Sequence, residues 1–202
     1  MRFEQRKIWA GEVNVSFVDE GKLRATPIIF IHGFPFDKST WEEQMEALQP
    51  DYRVIAYDVR GHGDSNPGTE EFSIQLFTDD LFLFMDALNI EKAILCGLSM
   101  GGYIALNAIK QQPLRISGLV LADTQCFADT EEAKEKRFKT VDHIRENGLK
   151  QYASDSVKKL FSETSLRDKT EIVSAVERTI LKTPVDTICN TLIALAGRME
   201  TC

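Results

Sequence analysis

The stretch that decides the fold is Gly97-Leu98-Ser99-Met100-Gly101, a serine with a glycine two positions away on either side. The apolar residues 93–96 precede it and predict a buried strand, and a helical pattern over residues 101–111 follows it. A serine between a strand and a helix lies in a sharp, strained turn, and small residues on both sides let the strand and helix pack closely. The stretch therefore predicts a turn that lifts the Ser99 hydroxyl above a sheet.

The same turn predicts that Ser99 is a nucleophile. The N-terminus of the following helix favours developing negative charge, so we expect the N–H of Met100 to donate to an oxyanion. A second donor is expected from His32-Gly33-Phe34-Pro35, which follows the apolar residues 27–31. A backbone N–H just after this His-Gly pair can face the serine turn, and Phe34 is the candidate. A generic Gly/Pro turn at the end of a strand is the alternative.

The remaining pattern predicts an α/β fold with a mostly parallel sheet. Residues 27–31, 53–57 and 118–122 are short apolar runs of the kind buried on both faces of a parallel sheet. Residues 3–9 and 13–18 surround Gly11 and predict an antiparallel pair, and residues 39–48 and 73–88 predict helices between strands. Residues 129–200 show only helical patterns, over 131–147, 149–161, 168–182 and 185–198.

A second glycine-rich turn, Asp58-Val59-Arg60-Gly61-His62-Gly63-Asp64-Ser65, follows residues 53–57. Two glycines in so short a turn indicate unusual backbone angles. We expect Asp58 and Arg60 to brace loops through hydrogen bonds. His62 is interpreted as a structural loop histidine rather than a general base.

These three motifs, in this order, resemble the α/β-hydrolase superfamily, particularly small esterases, enol-lactonases and aminoacrylate-hydrolase-like proteins. The resemblance implies a hydrolase core over residues 1–125, with helices on both sides of the sheet, and a helical cap over residues 126–198. It implies that Ser99 attacks an acyl carbonyl while the N–H groups of Phe34 and Met100 hold the oxyanion. A serine at position 99 argues against the branches of the superfamily that use an aspartate nucleophile.

The chain departs from the family pattern after Ser99. A serine hydroxyl needs a base, normally a histidine oriented by a carboxylate, and the family order is Ser, acid, His. His143 lies on a charged helical stretch, so we interpret it as a solvated residue. Asp123 is a candidate acid, with a strand-end turn as the alternative. The last strands of the family fold are missing, so we expect an N-terminal portion or one part of a split enzyme; a natural truncation without activity is the third explanation.

The composition limits the partners. The 202 residues carry a net charge of −7, which argues against nucleic acid or an anionic membrane. No signal peptide and no apolar run of ~18 residues is found. Four well-separated cysteines without a metal-type pair predict four reduced thiols in a cytoplasmic protein, although atypical secretion stays open.

The sequence thus predicts a serine hydrolase of an ester, a lactone or a similar small-molecule acyl substrate, with no metal and no organic cofactor. Phe34 and Phe127 are the candidate substrate-binding side chains. The expected partner is a complementing C-terminal chain, or a second copy that associates through an open sheet edge. The alternatives are a catalytically inactive binding protein on the same fold and a cofactor-free perhydrolase.

Overall fold

Residues 2–202 are described by a computed structural model, in which strands and helices alternate as far as residue 122 and helices alone follow. The strands are β1 Arg6–Ala10, β2 Val13–Gly21, β3 Pro27–Ile31, β4 Arg53–Tyr57, β5 Ala93–Leu98 and β6 Ile116–Ala122. The helices are α1 Glu42–Leu48, α2 Ile74–Ala87, α3 Met100–Gln111, α4 Glu131–Asn147, α5 Leu149–Leu160, α6 Glu163–Asp168, α7 Thr170–Lys182 and α8 Val185–Ala196. Short 3₁₀ helices span Lys38–Trp41 and Pro113–Arg115.

The strands form one sheet in the order β1-β2-β4-β3-β5-β6. Strands β4, β3, β5 and β6 pair in parallel, whereas β2 runs antiparallel to both β1 and β4. The parallel strands β3 and β5 are adjacent, so the loops that follow them lie at the same edge of the sheet. Within the described residues, β1 and β6 are the two edges of the sheet.

The central strands β3 and β4 are covered on both faces, which explains why they are apolar, whereas the edge strand β6, predicted over 118–122 as buried on both faces, is half-buried or exposed because no described strand lies beyond it. Alternate residues of β3 point to opposite sides: Ile29 and Ile31 join the cluster that contains residues of α2 and α3. Ile28 and Phe30 join the opposite cluster, together with Trp41 and Met45 from the helical residues 38–48. A strand buried on both faces has no polar side to show, so its signal is an unbroken apolar run.

The helices after β6 form two further apolar clusters. One joins residues of α4, α5 and α8, and Phe34 packs against it. The other joins residues of α5 and α7, and Phe36 packs against it. The helical segment 131–196 therefore contacts the loop that follows β3, and Phe34 lies between this segment and the main core.

The predicted α/β architecture with a mostly parallel sheet is confirmed, and the predicted strands 27–31 and 53–57 agree with β3 and β4 to the residue. The predicted helix 168–182 begins two residues later as α7, and the short α6, capped by the Ser162 side chain, was not predicted. β1 starts at Arg6 rather than at residue 3, because Phe3 packs beside the sheet instead of joining it.

The prediction of four reduced thiols is wrong for one pair. Cys126 and Cys202 form a disulfide across 76 residues, while Cys96 and Cys189 are free and buried. The physical reason is local: the N–H of Thr201 donates to the carbonyl of Cys126 at 2.9 Å, which lays the two segments side by side. None of the helices in the described residues combines the length and the apolarity that a bilayer crossing requires.

Candidate active site

Ser99 occupies a strained turn between β5 and α3. Its backbone angles are φ +49° and ψ −109°, a region that residues with a side chain rarely adopt. Two hydrogen bonds hold the turn: the N–H of Ser99 donates to the carbonyl of Ala122 at 2.9 Å, and the Thr124 hydroxyl donates to the Ser99 carbonyl at 2.8 Å. The end of β6 therefore keeps Ser99 in a conformation that an isolated chain would avoid.

The glycines around Ser99 are required by close backbone approach. A Cβ atom added to Gly97 would lie 2.4 Å from the carbonyl oxygen of Gly101, and one added to Gly101 would lie 2.1 Å from that of Ile31. A Cβ atom on Gly102 would lie 2.4 Å from the Thr124 hydroxyl. The expected close packing of strand and helix is confirmed.

The loop after β3 lies against the serine turn. A Cβ atom added to Gly33 would lie 3.5 Å from the Cβ atom of Ser99 and 3.3 Å from the carbonyl oxygen of Leu98. Phe34 follows Gly33 directly, and Met100 is the first residue of α3, so its N–H has no acceptor within the helix. The structure thus brings together the two segments that carry the predicted oxyanion donors, and their role stays a prediction.

His32 is fully buried at the start of this loop, and both ring nitrogens are hydrogen-bonded. The N–H of Val59 donates to Nε2 at 3.0 Å, and Nδ1 lies 2.9 Å from the carbonyl oxygen of Gly33. Burial lowers the pKa of His32 to about 4. The ring is therefore neutral near pH 7 and has no nitrogen left to receive a proton from Ser99.

The other two histidines each have a partner at Nδ1 alone, and Nε2 of the buried His62 has no hydrogen-bond partner among the described residues. His62 is fully buried, its Nδ1 lies 3.0 Å from the carbonyl oxygen of Arg60, and burial together with the neighbouring His32 lowers its pKa to about 3. His143 is exposed on α4 and lies beside Asn147. Across residues 2–202, no imidazole is hydrogen-bonded to the Ser99 hydroxyl.

The glycine-rich turn after β4 is braced as expected. The buried Asp58 carboxylate accepts hydrogen bonds from the Lys38 ammonium at 2.7 Å and from the N–H groups of Lys38 and Asp64. Burial raises the pKa of Asp58, and the Lys38 ammonium opposes that rise. Arg60 donates two hydrogen bonds of 2.7 Å to Asp80 and a further one to Glu12. These buried pairs fix the turn whose Val59 N–H donates to His32.

Two predicted site residues lie at the end of β6 and just beyond it. Asp123 is exposed, with φ +43°, and no histidine among the described residues is bonded to it. Phe127 is 60% exposed, and its carbonyl accepts a hydrogen bond of 3.1 Å from Arg198. Of the two predicted substrate-binding side chains, Phe34 lies on the loop beside Ser99, whereas Phe127 lies exposed on the segment after β6.

Sequence reasoning missed three residues that shape this region. Lys38 pairs with Asp58 across 20 residues, and no local pattern indicates such a buried pair. Thr124 lies two residues past the end of the predicted strand 118–122, and the position of a hydroxyl there was the one sequence signal for its contact with the Ser99 turn. Tyr152 packs against both apolar clusters of the helical segment. Within residues 2–202, no group of three or more His, Cys, Asp or Glu side chains is arranged to hold a metal ion.

Comparison with known proteins supports the architecture. A family model described as alpha/beta hydrolase fold matches residues 26–182. The chain is 32% identical over 176 residues to the 3-oxoadipate enol-lactonase 1 of Acinetobacter baylyi, which covers 87% of this chain and 65% of that protein. It is 27% identical to the 3-oxoadipate enol-lactonase 2 of the same organism, over 93% of this chain and 69% of that protein. The chain thus spans about two thirds of the length of these curated relatives.

Solved structures agree with the sequence comparison. A thermophilic esterase from Thermogutta terrifontis, solved with malate bound, superposes with a TM-score of 0.88 at 31% identity, covering 98% of this chain and 74% of that one. The enol-lactonase from Burkholderia xenovorans LB400 shares the fold with a TM-score of 0.88 at 23% identity, over 97% of this chain and 75% of that one.

Proposed function

The chain belongs to the alpha/beta hydrolase fold family, and on that premise we propose that it is the nucleophile-bearing part of a hydrolase of esters, lactones or similar acyl compounds. The observation that carries the proposal is the strained Ser99 turn at the start of α3, with the Gly33 loop packed against it. The resemblance to enol-lactonases and an esterase supports the same substrate class.

The proposed reaction is acyl transfer through Ser99. The hydroxyl oxygen attacks the substrate carbonyl carbon, and the carbonyl oxygen gains negative charge as the tetrahedral intermediate forms. The N–H groups of Phe34 and Met100 donate to that oxygen. Each such donor is worth about 10²–10³ in kcat, because it is already oriented in a site from which water is excluded.

The general base is proposed to be a histidine outside residues 2–202. His32 is hydrogen-bonded at both ring nitrogens, burial lowers the pKa of His62 to about 3, and His143 lies on the exposed face of α4. A further segment or a separate chain that pairs with the β6 edge would bring such a histidine close to Ser99. β6 is an edge of the sheet within the described residues, so its outer backbone N–H and C=O groups can pair with another strand. Val120 and Leu121 of β6 are 52% and 44% exposed, so further elements could also cover its apolar side chains. Asp123, at the end of β6, stays a candidate for the acid.

The helical segment 126–198 is proposed to act as a cap over the acyl pocket. Phe34 and Phe36, on the loop beside Ser99, pack against its two apolar clusters. A pocket built between these aromatic rings and the cap helices would favour an apolar acyl group, because burial of apolar area supplies the binding energy.

A fluorophosphonate probe tests the proposal, because it forms a covalent bond only with an activated serine. We expect the gene product that contains the base to be labelled at Ser99, and Ser99→Ala to abolish labelling. In the 202-residue chain alone we expect slow labelling that added imidazole accelerates, since free imidazole can replace the missing base. Unlabelled Ser99 in both forms, with and without imidazole, would favour the inactive binding protein.

A perhydrolase shares the nucleophile and oxyanion donors, so labelling does not distinguish it from an esterase. Turnover with peroxide and acetate, measured beside ester hydrolysis, separates the two. A peroxide-dependent rate above the ester rate would move the proposal to the perhydrolase.

A further inference from the structure

His32 links the core to the loop that carries the proposed oxyanion donor. Its ring lies between two backbone groups with fixed roles: the N–H of Val59 can only donate, and the carbonyl of Gly33 can only accept. Nε2 must therefore be the acceptor, and the proton must be on Nδ1. The partners define one neutral tautomer, and Nδ1–H donates to the Gly33 oxygen at 2.9 Å.

The carbonyl of Gly33 and the N–H of Phe34 belong to the same peptide unit. Because that unit is planar, fixing the direction of the C=O bond also fixes the direction of the N–H bond on the opposite side. The Gly33 oxygen accepts a second hydrogen bond, from the N–H of Phe36 at 2.9 Å. Hydrogen bonds to a carbonyl also polarise its peptide, which makes the N–H a stronger donor.

We propose that His32 is a positioning residue for the oxyanion hole: its Nδ1–H bond to Gly33 aims and polarises the N–H of Phe34. Three hydrogen-bonding steps follow one another, from Val59 through the imidazole to the Gly33–Phe34 peptide and then to the substrate oxygen. This role rests on the proposed function, because it needs a substrate oxyanion beside Ser99. It gives His32 a task that differs from the general base.

The surroundings of His32 keep its ring in this one neutral tautomer. The His32 ring is fully buried, and the ring of His62 lies 5.3 Å away between centroids. The charges that face His32 are those of Asp37 and Lys38, which act in opposite directions on its protonation. A protonated ring would lose the acceptor for Val59, and burial makes that form costly.

Two matched variants separate positioning from simple structural support. In His32→Asn, the side-chain amide NH₂ can occupy the place of Nδ1 and donate to Gly33, while the acceptor for Val59 is lost. In His32→Gln, the amide oxygen can occupy the place of Nε2 and accept from Val59, while the donor to Gly33 is lost. Each variant thus removes one of the two hydrogen bonds.

Turnover of p-nitrophenyl butyrate is measured in the protein form that the fluorophosphonate probe labels. We expect His32→Gln to lower kcat by about 10-fold or more with KM within about twofold, because the lost interaction is made in the transition state. We expect His32→Asn to stay within about threefold of the parent in kcat. Equal losses in both variants, or an unchanged kcat in His32→Gln, would overturn the proposal.

A second measurement needs no turnover. In the nuclear magnetic resonance spectrum of the 202-residue chain, the ring nitrogens of His32 should show the proton on Nδ1, and the Phe34 amide proton should move upfield in His32→Gln but not in His32→Asn. A proton on Nε2, or a Phe34 amide that does not respond, contradicts the proposal. Turnover that survives in Ser99→Ala would instead contradict the proposed function and leave the His32 spectra as the deciding evidence.

Discussion

Replacing Ser99 by glycine should stabilise the protein while it removes the proposed nucleophile. At φ +49° and ψ −109° a side chain is strained, and such strain costs about 1–3 kcal/mol. Glycine relieves that strain but loses about 0.5–1 kcal/mol through the greater freedom of the unfolded chain. Within the described residues the Ser99 hydroxyl has no hydrogen-bond partner, so its removal should cost little. The net expectation is a gain of about 0.5–2 kcal/mol for Ser99→Gly relative to Ser99→Ala.

The assay is reversible urea unfolding, followed by circular dichroism and by the fluorescence of Trp9 and Trp41. For a protein of this size, 1 kcal/mol corresponds to about 2–4 °C in Tm, so thermal melts should show the same order. Ser174 in α7 supplies the control, because at a helix interior glycine should be about 1 kcal/mol less stable than alanine. If Ser99→Gly is no more stable than Ser99→Ala while the control behaves as expected, then the turn stores no strain and the reasoning is refuted.

Three further predictions follow from packing, burial and thiol chemistry. Gly101→Ala should lower the free energy of unfolding by at least about 2 kcal/mol, because the new Cβ would lie 2.1 Å from a backbone oxygen of β3, whereas Gly118→Ala, with its nearest neighbour at 3.6 Å, should stay within about 0.5 kcal/mol; equal urea midpoints would contradict this. The pKa values of His32 and His62 are about 4 and 3 in the folded protein against the usual 6.5, so the unfolded chain binds protons first. The stabilisation contributed by these two neutral histidines should be fully present above pH 6.5 and should be lost as the pH falls towards 4. The free energy of unfolding should then decrease by about 1.4 kcal/mol per pH unit for each imidazole, and His62→Gln should remove about half of that slope in urea unfolding. Thiol titration of the unfolded, unreduced protein should count two thiols, those of Cys96 and Cys189. A count of four would show that all four cysteines are reduced, as the sequence predicts.

The fold was largely predictable because its signals are local. β3 and β4 are apolar on both faces and are bounded by polar residues and a proline, so their limits were predicted to the residue. α6 was missed because six residues are too few to show a helical period, and Lys169 separates it from α7. The disulfide of Cys126 and Cys202 was missed because nothing in a sequence relates two cysteines 76 positions apart.

The candidate site shows the same difference between a part with local sequence signals and a part made by distant contacts. Its backbone part, the Ser99 turn, is indicated by the spacing of its glycines, because a Cβ atom added at Gly97, Gly101 or Gly102 would lie only 2.1–2.4 Å from a neighbouring atom. Its side-chain part joins distant residues, such as Lys38 with Asp58 and His32 with Val59, across 20 and 27 positions. No local pattern carries those pairings, so they had to come from the structure.

Residue type alone therefore misleads most where side chains do the chemistry. The three histidines at positions 32, 62 and 143 are equal candidates for a base by type, yet their surroundings separate them. Burial and two backbone partners hold His32 neutral, burial holds His62 neutral, and His143 is exposed on α4. A base must both reach the Ser99 hydroxyl and accept its proton near pH 7, and burial removes the second property from the two histidines that lie in the core. The same burial makes His32 a rigid donor to Gly33, so the property that disqualifies it as a base suits it to position the proposed oxyanion donor, the N–H of Phe34.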